Sequence, residues 1–480
     1  MTGTTLATSD GPRLARQASN PRWVPPPQTS RTPGPARAYG SSAQAGILRS
    51  MQFRLGSADW ARIRLSPDGE RLLGSWREGE TERSMLNGRA LPAVEWRRGA
   101  SPACQWDPDL SRRAAVQRDG AVAYVVVSDL VGERRLGPFE DAKLRSDCFS
   151  TVGFRLMFPF TRGGATWVWL DGEELGPYAG VEAPRWLGQT PAFVVRSEAG
   201  RQLWIEGNTL GPFGVVWSVE LAEDGVLGVS FQQGDAHFLV HGDRRYGPFE
   251  RRPNFALGVG GRLAIERTVE DQVQVELGDG QVVGRFSGLR SLERCFSPDG
   301  RRLGFAYDQD DLCGFFLDGE RREGLGYTDG PWWSPDGVHV AWGAESESGL
   351  LVVDRHEEAL ARRIDWESGA SFRFAPSGDF CFTLDADGEQ VLRIGQREFG
   401  PFALGDSARR AIYEKVAFSA DGAHFAFLYE EQSATYVRHD ERVLGPFGGR
   451  TSFTLSPAGI CTVATLDEAS LVASLLSVPA

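Results

Sequence analysis

A short turn signal, Ser-Pro-Asp-Gly, returns along this chain at multiples of about 39 residues. It is intact at residues 66–69, 297–300 and 334–337. It is weaker at 375–378, 419–422 and 456–459. Proline fixes φ for a turn position and glycine permits φ > 0, so each copy reads as a tight turn. From Pro67 to Pro457 is 390 residues, or ten steps of 39. A second marker, Gly-Pro-aromatic, starts at Gly137, Gly176, Gly211, Gly247, Gly400 and Gly445. Its local steps are 39, 35, 36 and 45, and the gap of 153 from Gly247 to Gly400 divides into four steps of about 38. Both markers report one period.

One complete unit runs from Phe296 to Tyr327. After the turn, Leu303 to Tyr307 reads as a strand and Asp308 to Asp311 as a polar loop. Leu312 to Leu317 is a second strand, and Asp318-Gly319 is a hairpin signal. Asn87-Gly88, Asp171-Gly172 and Gly242-Asp243 are parallel cases. Four short strands in a period near 40 residues are the signature of a propeller blade. A blade cannot bury both faces alone, so blades stack around an axis. The expected fold is all-β, a β-propeller of about eleven four-stranded units. Ser-Pro-Asp-Gly joins the innermost strand a to b, an acidic loop joins b to c, and Asp-Gly joins c to d. Gly-Pro-aromatic then returns d to the next a.

Ordinary propellers have about four to eight blades. Two rings are therefore one expectation, over 51–249 and 250–480, with Arg251-Arg252-Pro253 as the join. The other is one outsized ring, with 51–56 completing the last blade beside 460–478. Residues 1–50 differ from the rest, with seven prolines and six Arg against Asp10. They read as a disordered tail or a mis-assigned start, with Met51 as the first residue. The net charge of −12 then places −17 on residues 51–480.

The unit resembles the propeller repeats of TolB-type proteins, relatives of the WD-repeat family, whose blades carry an S-P-D-G turn followed by a strand. The resemblance covers residues 51–480 and implies a scaffold for partner binding. This chain departs from the family pattern in having no Trp-Asp dipeptide at the blade ends, no secretory signal and an added Gly-Pro-Phe. An exported TolB-like protein is the corresponding alternative.

Acidic charge argues against general binding to nucleic acid. No stretch is apolar enough to span a membrane. Six cysteines, at 104, 148, 295, 313, 381 and 461, form no CxxC pair and read as small buried hydrophobes of a reducing cytoplasm. Basic charge is almost all Arg, a coding bias taken as that of a high-GC bacterial genome. There is no G-x-S-x-G elbow, P-loop or HExxH, and the six histidines are scattered. No catalytic residue, metal or cofactor is expected.

Aromatics stand before the a–b turns at Trp106, Trp186, Phe296, Trp333, Phe374 and Phe418. Inter-blade packing accounts for them. Charge is the pattern with functional content. Acidic residues recur in the b–c loops, among them Glu78, Glu80 and Glu82, and Glu270 and Asp271. Asp308, Asp310 and Asp311, Glu345 and Glu347, and Glu430 and Glu431 are the candidate partner-binding residues. Arg pairs gather near the opposite turns at 134–135, 244–245, 301–302 and 321–322. The expected function is a non-enzymatic, cytoplasmic scaffold that binds a protein, possibly a basic one, through one charged face. The alternative is a propeller enzyme or small-ligand binder of the lactonase or lyase kind with an axial site.

Overall fold

Each Ser-Pro-Asp-Gly turn in the computed structural model bonds to itself. The Ser297 carbonyl accepts the Gly300 N–H at 2.8 Å. The Ser297 hydroxyl donates to Asp299 Oδ1 at 2.6 Å and accepts the Arg302 N–H at 2.9 Å. Ser334 with Asp336 and Ser419 with Asp421 repeat the arrangement. The hydroxyl bond holds the Asp299 carboxyl below its ordinary pKa. Serine and aspartate are thus fixed by the turn's own hydrogen bonds, and glycine by its φ of +69°.

The structure describes residues 50–480 apart from 56–59, 96–103, 130–131, 152–154, 346–349, 355, 361–362, 365–371, 386–388, 404–415, 432–433, 468–470 and 480. Among the described residues there is no helix, and the strands form eleven antiparallel sheets. Each is a meander a-b-c-d. Blade 7 is typical, with Gly288–Leu289, Gly304–Gln309, Leu312–Leu317 and Glu320–Leu325. Leu317 pairs with Glu320 across Asp318 and Gly319, whose φ values of +48° and +97° make a primed hairpin turn. The expected strand order and the placement of the Ser-Pro-Asp-Gly and Asp-Gly turns are those observed, but Asp308, expected in the b–c loop, lies in strand b.

The Gly-Pro-aromatic marker lies inside strand d rather than after it. In blade 4, Leu203 pairs with Leu210 and Arg201 with Phe213, so Gly211 and Pro212 face one residue as a β-bulge. Gly211 has φ +126°, and a Cβ there would sit 3.0 Å from the Arg201 carbonyl. The bulge turns the following aromatic into the next blade. Phe139 of blade 2 reaches Phe160 of blade 3 with ring centroids 4.4 Å apart.

The eleven blades form one ring. Ser50–Arg54 pairs with Val472–Val478, so the first described strand supplies strand d of blade 11. Leu55, Leu72 and Trp76 share a core with Ala464, Leu466 and Leu475. Thr454 of blade 11 donates to the Pro67 carbonyl of blade 1 at 2.9 Å. The alternative of two rings meeting near 250 is not realised. Tyr246 of blade 5 donates to the Gly278 carbonyl of blade 6 at 2.9 Å. Leu239, Phe255, Leu263 and Ile265 pack together across that boundary. The residues 251–253 are an ordinary link from d to a. The expectation for residues 1–50 lies outside the described residues up to residue 49.

Arginines tie neighbouring blades together on the face of the a–b and c–d turns. Arg155 donates to Asp171 Oδ2 of its own blade at 2.7 Å and to the Gln189 carbonyl of the next at 2.8 Å. Arg71 and Arg262 reach the carbonyls of Asp109 and Gly300 in the same way. In blades 8 and 10 histidine takes the position: His339 pairs with Asp354 and His424 with Asp440, each at 2.8 Å.

Candidate partner-binding face

Strands b and c meet in short connections, two residues long in blade 7 and five in blade 8, so charged residues at these turns project from the ends of the sheets into solvent. In a meander the b–c turns share one face with the d–a links. Of the expected residues, Asp310, Asp311, Glu345 and Glu431 are exposed there. Asp310 has φ +55° and its N–H donates to Ser287 Oγ at 2.9 Å, which leaves its carboxylate in solvent. The Glu345 N–H donates to the Tyr327 carbonyl, which ties the blade 7 and blade 8 loops together.

Asp308 stands apart from its neighbours. It is half-buried, accepts from Arg290 Nε at 3.0 Å and from the Cys313 thiol at 3.3 Å. Arg290 in turn stacks over the Tyr327 ring at 4.7 Å. Asp308 is therefore a strut under the face rather than part of its free charge. Glu430 is half-buried and has a partner of its own, while Glu347 lies outside the described residues.

In blade 1, Glu78 accepts from Trp76 Nε1 at 3.2 Å and Arg83 Nε at 2.7 Å. The Trp76 bond, then Arg83, lowers its pKa. Glu82 is turned inward and buried, because it lies two positions into strand c and not in the loop. Only Glu80 of that trio is exposed with no bonded use of its carboxylate.

The arginine pairs near the opposite turns are largely committed to packing. Arg135 lies 3.5 Å over the Tyr124 ring, Arg245 3.8 Å over Phe238 and Arg321 4.7 Å over Phe286. Arg302 is one of the inter-blade ties. The aromatics before the a–b turns also belong to packing. Trp333 Nε1 donates to the Arg294 carbonyl of the previous blade at 2.7 Å, and Trp186 Nε1 to that of Cys148 at 3.1 Å.

All six cysteines are buried and unpaired. Burial pushes the thiols of Cys104, Cys148, Cys295, Cys381 and Cys461 up to about 12. Among the described residues no group of three or more His, Cys, Asp or Glu is placed to hold a metal ion. The two histidines that come together, His424 and His439 of blade 10, have ring centroids 6.4 Å apart. Their shared neighbour is Asp440.

No family model matches the chain, and no curated protein matches it. Among solved structures it is similar to one described as the crystal structure of the eukaryotic initiation factor. The identity is 12%, over 64% of this chain and 90% of that one, with a TM-score of 0.33. It is also similar to the Dos1 propeller, at 13% identity over 68% and 88%, with a TM-score of 0.30. A third is the dihydro-heme d1 dehydrogenase NirN in complex with DHE, at 15% identity over 64% and 76%, with a TM-score of 0.26. At these identities nothing about function passes from those proteins to this one.

Proposed function

We propose that the ring is a non-enzymatic scaffold that takes a basic protein partner on the face built by its b–c loops. One observation carries the reading. Asp310, Asp311, Glu345 and Glu431 are exposed at the b–c ends of blades 7, 8 and 10, and their carboxylates have no hydrogen bond or ion pair among the described residues. Uncompensated like charges on one rim repel each other, and a basic partner relieves that repulsion. The contrast with Asp308 supports this. Where a carboxylate serves the fold, the chain supplies it with Arg290.

The repeat is best read as TolB-type, on the strength of its Ser-Pro-Asp-Gly turns. Six unpaired buried cysteines support a cytoplasmic setting. The test uses the full chain with Asp310 and Asp311 replaced by Asn and Glu345 and Glu431 by Gln. Wild-type and variant rings are used to capture partners from the native host. A basic protein retained by the wild type and lost by the variant is the expected result. Equal capture by both, or capture of acidic proteins only, overturns the reading.

A further inference from the structure

The a–b ends of blades 4 to 7 enclose a concavity of about 410 Å³ on the innermost strands. This is the opposite face from the b–c loops. Its walls include Leu187, Leu221, Leu257, Val259 and Phe296. The carboxylate of Glu220 sits among them on strand a of blade 5, Val215–Leu221, with Glu223 at the exposed rim. Val219 beside it is buried in the core shared with blade 4, and strand alternation sends Glu220 the other way.

Glu220 is half-buried, yet its carboxylate accepts no hydrogen bond from any described residue. Arg185 is the cation that acts on it, but the Arg185 guanidinium donates to the Val219 carbonyl at 3.0 Å. Glu293 adds repulsion, and Glu223 lines the same concavity. A carboxylate held this way, without a donor, carries a desolvation cost that a bound cation would offset.

We infer that this concavity binds a small organic cation, a protonated amine or guanidine with an apolar body, with Glu220 as its counter-ion. The apolar walls take the body and the carboxylate takes the charge. The volume falls within the range of small-ligand sites, roughly 300–1,000 Å³. An anion would meet Glu220 and Glu223 in the lining. A neutral apolar ligand would bury Glu220 further and bring no charge or donor to its carboxylate. A bare metal ion lacks a ligand set, since no group of three metal-binding side chains occurs among the described residues. The raised pKa of Glu220, caused first by burial, agrees with a carboxylate that lacks a partner.

The test titrates phenethylammonium, and its neutral isostere 2-phenylethanol, into the full chain by calorimetry and ligand-observed NMR. The expected result is saturable binding of the amine, at least a tenfold loss in Glu220→Gln, and no saturation by the alcohol. Glu223→Gln, at the exposed rim, should change affinity by less than threefold. It separates a specific counter-ion from the general field of the mouth. The thermal midpoint of each variant confirms that it is folded. Three results overturn the inference. They are alcohol binding as well as amine, Glu220→Gln and Glu223→Gln losing equally, and no saturable amine binding up to about ten millimolar.

Discussion

Arg302 of blade 7 donates through Nη1 to the carbonyl of Val338 in blade 8 at 2.8 Å. Its Nε holds Asp318 Oδ2 at 2.9 Å, and Asp318 Oδ1 accepts the Leu303 N–H at 2.9 Å. One side chain therefore joins the a–b turn, the c–d hairpin and the next blade.

Replacing Arg302 should loosen that junction. Arg302→Met keeps an aliphatic stem but removes the guanidinium that lies over the Trp333 ring, its bond to Val338 and its pair with Asp318. The pair is partly solvent-exposed, so screening reduces its contribution, and the expected loss is about 1 kcal/mol. A lower denaturant midpoint at unchanged slope is the expected outcome. Arg302→Lys should recover only part of it, because an ammonium lacks the fork that serves both acceptors.

The ring should depend on its first strand and not on what precedes it. Removing residues 1–49 leaves Ser50–Arg54 in place, and the thermal midpoint should hold. Removing residues through Leu55 takes Phe53 and Leu55 from the closing core and bares the edge of Val472–Val478. Each buried side chain contributes roughly 1.5–3 kcal/mol, so the midpoint should fall by many degrees, with aggregation at the open edge. Equal midpoints for the two truncations would contradict closure by the N-terminal strand.

Ring number was the part of the fold least legible in the sequence, and this pairing is why. The turns were legible because serine, aspartate and glycine bond within five residues of one another. Closure rests on Ser50 pairing with Leu476, at opposite ends of the chain, and no local signal specifies that. The site divides similarly. Asp310 and Asp311 were legible as loop charge from the two flanking strands. The capture of Asp308 was not, because Arg290 comes from an interrupted inner strand. Glu82 was misplaced by the length of a turn, which strand alternation converts from exposed to buried. Glu220 carries no sequence signal, since its setting is made by four successive blades.

Stability should fall in mild acid. Burial holds the pKa of His439 below its ordinary value, with Asp440 opposing and His424 and Arg442 adding to the depression. His241 is depressed by burial as well. The unfolded chain then binds protons more readily than the fold. Stability is fully present above the unfolded value of about 6.5 and is lost as pH falls toward the folded value. His439→Phe keeps a ring of similar size and cannot titrate. Between about pH 7 and 5 its midpoint should decline less than that of the wild type. Parallel declines would assign the acid sensitivity to other groups.

The central claim is that free carboxylates on the b–c face recruit a basic partner. Its most direct measurement is the association rate of the captured partner with wild-type ring and with the ring carrying Asn at 310 and 311 and Gln at 345 and 431, across ionic strength. Rim charges act mainly on encounter, and screening shortens to about 8 Å at physiological salt. Wild-type association should be several-fold faster at low salt and should slow as salt rises. The variant should be slower and nearly flat, with an unchanged thermal midpoint because the replaced groups are solvated. Identical rates for the two rings, insensitive to salt, would contradict the claim.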